Sequence, residues 1–399
     1  MQLNKILSLL FFCITVNISL GQENNNLDNT EIDFLIGYYE QSGNNAAVTG
    51  GIGSEELDDI ATQIVVNIPF SNGNKLLITG GIDSYTSASS DQVDPIASGA
   101  SGSDIRAHIN GAYSFINDES NEQYGVNLGF SNEYDYRSIS FGGNWTKATS
   151  SGNSEISLSA QFFYDIITLI YPVELRGNSV QLGKANIKNG NDKRITYSFS
   201  ATYSQVLTKK LQASFSLDFV YQAGYLSTPF HRVYFSDEVL PRIETLPDSR
   251  YKIPFGLRVN YYTTDYFITR VNYRFYYDDF GITANTFNLE LPIKLTNEFT
   301  LSPFYRYHKQ TASDFFAPYN EANPSQEFYT SDYDLSGFDS YKYGVGLRYY
   351  PLFGLSEFSL PFLGDYWTLK SINLRASYYE RSTGLDALSI SLGLSFSVR

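Results

Sequence analysis

The chain has 399 residues, with 42 acidic residues against 28 Lys and Arg, a formal net charge of −14 at pH 7, and 33 Tyr and 29 Phe beside 2 Trp and a single Cys. An acidic balance of this size excludes a general nucleic-acid surface, which needs clustered positive charge, and one cysteine excludes a disulfide framework. Beyond residue 21 no apolar run is long enough for a transmembrane helix, although barrel strands alternate and score weakly on hydropathy.

At the N-terminus, Lys5, the apolar run ILSLLFFCITV and the small residues SLG before Gln22 predict a secretory signal peptide over residues 1–21, cut near Gly21. The run is too short to span a bilayer. LFFC lacks the small residues that a lipoprotein signal places before its cysteine, so Cys13 is expected to leave with the leader. The mature chain then holds no cysteine, and 27 basic against 42 acidic residues. Residues 22–29 are expected to form a short periplasmic segment and 30–399 one domain, because no linker or composition shift divides them.

From there apolar residues fall at every second position. Ile64, Val66, Ile68 and Phe70 precede Asn72-Gly73, and Leu76, Ile78 and Ile82 follow it, which predicts a hairpin with a two-residue turn at positive φ. The alternation recurs in sixteen candidate strands of about 10–13 residues, the length a tilted strand needs to cross a bilayer. The first eight span 30–40, 60–70, 74–86, 103–116, 122–132, 137–149, 154–166 and 194–206. The second eight span 210–222, 251–262, 265–277, 282–295, 298–310, 340–350, 367–380 and 386–398. Even-numbered candidates lead into short turns and odd-numbered ones mostly into long segments, the asymmetry of outer-membrane barrels, whose longer loops are extracellular. Residues 351–366 are long where a short turn belongs, which implies a small periplasmic plug or an extra strand.

Charge decides which face is inside. In 386–398, Leu388, Ile390, Leu392, Leu394 and Phe396 alternate with Ser and Gly, and no central apolar-parity position of any candidate carries Asp, Glu, Lys or Arg. Lipid imposes that rule, since a mid-bilayer charge costs roughly 2–4 kcal/mol. A soluble β-sandwich or propeller would need large hydrophobics on both faces of some strands. The expected fold class is all-β: a transmembrane antiparallel up-and-down barrel of about sixteen strands, porin-like, with its oily face outward.

The inward parity is sparse in charge over the first half, with Asp83, Arg106, His108 and Asp165. In the second half Arg258, Arg270, Arg274, Arg306, Lys342, Arg348 and Arg375 take it, with Asp218 and Glu290. On neighbouring strands these cations predict a basic wall, which favours anions and orients dipoles in a wet pore. The alternative is that they pair with the acids and brace the barrel. The segment 311–338 is acidic and aromatic; Asp314, Phe315, Phe316, Tyr319, Tyr329 and Asp332 are expected to fold inward as a constriction or to form an external binding surface.

The segment DQVDPIASGASGSD offers Asp91, Asp94 and Asp104 as a weak calcium set, at a spacing that matches no EF-hand. Its run Asp94-Pro95, Ser98-Gly99-Ala100-Ser101 and Asp104, followed by a strand, resembles an uncharacterised family of bacterial outer-membrane barrels, a domain of unknown function. The resemblance implies the fold and carries no activity.

Enzymatic chemistry is not expected. The histidines His108, His231 and His308 lie at no metal or triad spacing, and nothing resembles GxSxG. The acid pairs Asp58-Asp59 and Asp278-Asp279 fall in expected turns, where a solvated carboxylate is the default. No cofactor is implied. The expectation is an outer-membrane channel of a Gram-negative bacterium, passing small hydrophilic solutes with an anionic bias, in contact with lipid and, during biogenesis, the barrel assembly machinery; homo-oligomers follow by analogy with porins. The alternative is a non-conducting receptor, anchor or assembly partner that works through its loops.

Overall fold

The computed structural model describes residues 29–86, 103–172, 175, 190–359 and 366–398; the expected leader, Asp91, Asp94 and the SGAS run lie outside them. Sixteen antiparallel strands close into one ring. The first eight are β1 (Thr30–Ser42), β2 (Leu57–Pro69), β3 (Lys75–Thr86), β4 (Ser103–Asn117), β5 (Glu122–Asn132), β6 (Tyr136–Ala148), β7 (Ser154–Thr168) and β8 (Asn191–Thr208). Then come β9 (Leu211–Gly224), β10 (Ser249–Lys252 and Phe255–Tyr262), β11 (Ile268–Tyr277) and β12 (Thr283–Glu290 and Ile293–Lys294). The last four are β13 (Phe299–Gln310), β14 (Phe338–Tyr349), β15 (Tyr366–Arg381) and β16 (Leu385–Val398). Each strand pairs with its chain neighbour, and β1 pairs with β16 from Thr30↔Val398 to Ser42↔Asp386, so the ring has no free edge.

The splits in β10 and β12 fall at Pro254 and Pro292, where a residue without an N–H interrupts the ladder. Their carbonyls still accept, from the amides of Asp218 at 2.9 Å and Ile268 at 3.1 Å. The Asn72-Gly73 hairpin differs from expectation. Only Gly73 has positive φ, at 80°, and the Asn72 side chain accepts from the Asn74 amide at 3.1 Å. Phe70 and Asn74 close the turn at 2.9 Å, so three residues rather than two connect the strands.

The apolar parity faces out. Leu128 is 69% exposed, Ile139 56% and Phe199 52%, the surface pattern of a transmembrane barrel. Among the described residues, buried apolar side chains form clusters in the long connections instead: Val233, Phe235, Ala322 and Tyr329 in one, and Leu169, Tyr171, Leu175 and Ile243 in another. At the short-turn end, the chain after β14 turns at Gly354 and adds the segment Ser356–Ser359 to the start of β15. Of the two expectations for 351–366, the described part forms the extra strand, with Phe358 stacked on Trp367.

Candidate functional site

Register and side-chain alternation bring the cations of β10–β15 to one side of the lumen. Arg258 faces Asn272, Arg270 faces Glu290, Asn288 faces Arg306, Arg306 faces Lys342, and Gly346 faces Arg375. Arg258, Arg270, Arg306, Lys342, Arg375 and Glu290 line one cavity of about 800 Å³. Midway along β6 and β7 the inward positions are neutral. Ser140, Gly142 and Asn144 of β6 face Phe163, Gln161 and Ser159 of β7, and Gln161 donates to Asn127 at 2.9 Å.

Neutralisation of the basic wall is slight. Glu290 takes Arg270 at 3.4 Å and Arg375 at 3.8 Å, on its two separate oxygens. Arg306 Nε donates to Asn288 at 2.6 Å, and the Arg375 guanidinium lies 3.9 Å from the Phe304 ring centre. Among the described residues, no carboxylate pairs with Arg258, Arg274, Arg306 or Lys342. Arg274 lies on the same inward face nearer the long-loop end, opposite Gly256 and Thr286. Arg348 lies towards the short turns, its guanidinium over Tyr350. Asp218, on β9 opposite Ser200, makes no ion pair among the described residues.

Towards the long-loop end the inward charges are paired instead. Buried Asp165 accepts from Arg194 at 2.9 Å and Ser138 at 2.7 Å. Arg106 reaches Asp83 at 3.7 Å and Glu133 at 3.6 Å. Asp278, expected to be solvated, is fully buried; it pairs with Arg250 and accepts from Tyr276 Oη at 2.7 Å and from the amides of Phe280 and Ile282. The turn wraps around this carboxylate, which is why it is not in water. Asp58 and Asp59 belong to β2 rather than to a turn.

Above the lumen the long connections knit together. Arg232, between β9 and β10, donates to the carbonyl of Val48, between β1 and β2. These two connections are eight strands apart in a ring of sixteen, on opposite sides, so their contact bridges the mouth. The β13–β14 connection joins them. Phe235 bridges to Ala322 and Thr245 to Tyr329, Tyr234 packs on Tyr319 at 4.8 Å, and Ser331 donates to the Arg232 carbonyl at 2.7 Å. The contact is close enough that a Cβ on Gly50 would lie 2.5 Å from the Tyr234 ring, and one on Gly51 2.9 Å from that of Tyr333. Both glycines also have φ near +90°.

This roof holds the expected constriction residues. Phe315 meets Phe280 and Phe328 edge-on, and Phe316 meets Tyr333. Asp314 donates its amide to the Phe280 carbonyl, Tyr329 is buried against Phe235, and Asp332 caps the turn Tyr333–Leu335 through the Asp334 amide. The roof also encloses groups that sequence reasoning missed. Glu244 accepts from the Thr228 amide at 2.6 Å, Thr330 Oγ1 at 2.5 Å and His231 Nδ1 at 3.2 Å, and Arg381 pairs with Asp334 at 2.6 Å. No local spacing links these partners, which lie up to 86 residues apart.

Burial opposes the charge on His231, yet Glu244, Asp332 and Asp334 outweigh it and hold the imidazolium above its ordinary range. Burial pushes the Glu55 carboxyl up to about 7 against the pull of Arg381, with Asp334 and Asp332 adding to the rise. Burial likewise raises Asp332, against His231 and with Asp334 and Glu244. Of the weak calcium set, Asp104 is described, and its carboxylate lies within 4.8 Å of those of Glu133 and Asp135. His108 on β4 and His308 on β13 stand seven strands apart by the shorter way round the ring, and His308 bonds to Thr286 and Gln310.

A profile described as "Protein of unknown function (DUF3570)" matches residues 16–382. The chain belongs to this family. No curated protein matches it. Among solved structures, the siderophore receptor PirA from Acinetobacter baumannii is similar over 90% of this chain and 54% of its own, with 12% identity and a TM-score of 0.44. A bacterial polysaccharide outer membrane secretin is similar over 93% of this chain and 99% of its own, at 8% identity and a TM-score of 0.45. A deletion mutant of the monoaromatic hydrocarbon channel TodX is similar over 94% of this chain and 91% of its own, at 9% identity and a TM-score of 0.39. The chain spans about half the length of the first of these, the siderophore receptor.

Proposed function

We propose that the protein is an outer-membrane channel for small hydrophilic solutes, biased towards anions by the basic wall of its lumen. The observation that carries this reading is the cavity of about 800 Å³ that holds five cationic side chains and one carboxylate. In a confined, partly desolvated pore, guanidinium groups without a fixed counter-ion attract anions and repel cations. The outward apolar band supports placement in a bilayer, with the long connections outside the cell and the assembly machinery as the insertion partner. On this reading the protein supplies passage and selection, with no enzymatic step.

Single-channel recording of the purified protein in a planar bilayer tests it. Discrete conductance steps with a reversal potential favouring chloride over potassium are expected. Replacing Arg270, Arg274 and Arg306 together by Gln should move that potential towards zero. An unchanged potential would leave these residues as braces. The bridged mouth favours a second reading, a non-conducting receptor or anchor that works through the roof, and a silent bilayer at saturating insertion would select it.

A further inference from the structure

We propose that the basic wall is a binding site for small organic anions with two or more carboxylates, and that Glu290 occupies part of it as an internal stand-in. The inference rests on the lumen geometry behind the channel reading, but not on conductance.

Two separate points in the cavity are ready to accept a carboxylate. At the first, Arg270 and Arg375 hold Glu290 at 3.4 and 3.8 Å, looser than the roughly 2.7–2.9 Å of a well-formed charge-assisted bond. A carboxylate this loosely held can be exchanged for one that fits better. At the second, Arg306 and Lys342 are direct register partners on β13 and β14, so two cations meet with no anion between them. Arg306 has committed its Nε to Asn288 and keeps its terminal nitrogens. Lys342, among the described residues, has neither a hydrogen bond nor an ion pair. Arg258 adds a further uncommitted guanidinium to the same cavity.

The two points sit on neighbouring strands. Glu290 lies on β12 and Arg306 on β13, while Arg270 and Arg375 flank them on β11 and β15. Glu290 faces Phe304, so Arg306 is its diagonal neighbour, roughly 7–8 Å away at the backbone, a spacing that the long Arg side chains and two carboxylates on a short carbon chain can bridge. A monoanion engages one point only and leaves the other pair of cations repelling each other. The cation excess therefore favours multivalent over monovalent anions, and the planar Arg fork favours carboxylate geometry.

Calorimetric titration of the full detergent-solubilised chain tests the site with tricarballylate, succinate and acetate as probes. Tricarballylate and succinate are expected to bind at least about tenfold more tightly than acetate, the factor that one extra charge-assisted contact carries. Arg306→Gln with Lys342→Met should weaken tricarballylate by about tenfold or more. Glu290→Gln, which needs no cation removed, should strengthen it. Acetate binding as tightly as tricarballylate, an affinity unmoved by either variant, or no heat with any probe at millimolar concentration overturns the proposal. Recording chloride current from the same preparation separates the two readings. Binding heat with a silent bilayer sinks the channel and leaves the site, whereas an anion-selective current without heat sinks the site and leaves the channel.

Discussion

Asp278 shows how a single carboxylate can be misread from its neighbourhood in sequence. Asp278-Asp279 lies between two expected strands, and an acidic pair in a turn is ordinarily solvated. In the structure Asp278 is enclosed by Arg250, Tyr276 and two amides of its own turn. Its partner Arg250 is 28 residues away, at the start of β10 and across the β10–β11 hairpin, in a register that local composition does not encode. Asp278→Ala is expected to destabilise the barrel by roughly 3–5 kcal/mol, because it leaves a guanidinium and two amides unpaired in a buried site. Denaturant titration in lipid vesicles checks this, and a loss under about 1 kcal/mol would restore the solvated turn. Glu244 makes a similar case in the roof. Glu244→Ala should speed hydrogen exchange at the Thr228 amide, which donates to it, while leaving the barrel amides protected.

At the scale of the strand, alternation carries most of the information, because lipid and lumen water act on opposite faces of every residue pair. Leu128 and Asn127 illustrate the rule: adjacent on β5, one is 69% exposed on the outside and the other hydrogen-bonds to Gln161 on the inside. Leu128→Arg should therefore cost roughly 2–4 kcal/mol in a lipid refolding titration, and Asn127→Arg much less. Equal effects from the two would mean that the outer face does not meet hydrocarbon. The same alternation places Arg258, Arg270, Arg306, Lys342 and Arg375 on one wall, since neighbouring strands of a meander are neighbours in the ring. It could not show that Glu290 holds two of them, nor that Pro254 and Pro292 break their strands. Nor could it place the connections, whose contacts are set by tertiary packing. Gly50 and Gly51 each sit at positive φ under a tyrosine ring. Gly50→Ala should open the roof by roughly 1–3 kcal/mol through backbone strain and the displaced Tyr234. Faster proteolysis within the connections, with the barrel unchanged by circular dichroism, is the expected result.

For the whole molecule, the roof ties together the β1–β2, β9–β10 and β13–β14 connections, which spring from separate parts of the ring. Its stability is expected to depend on pH in one direction. Glu55, Asp332 and His231 all have their proton affinity raised in the closed roof. A group whose affinity is higher in the closed form stabilises that form fully below its open-state pKa, and the contribution is lost as pH rises through the closed-state value. For Glu55 that window runs from the ordinary glutamate range up to about 7, and Asp332 and His231 act with the same sign. Acid should therefore hold the roof shut. Above neutrality Glu55 ionises beside Asp332 and Asp334, with Arg381 already engaged by Asp334, so the connections part; loss of the His231 proton, held by Glu244, acts in the same direction. Raising pH from 5 to 8 should speed hydrogen exchange in residues 43–56 and 311–337 and leave the strands protected, and Glu55→Gln should flatten part of that response. A roof that loosens instead on acidification would reverse the sign and require that Glu55 and Asp332 are ionised and His231 neutral in the closed state.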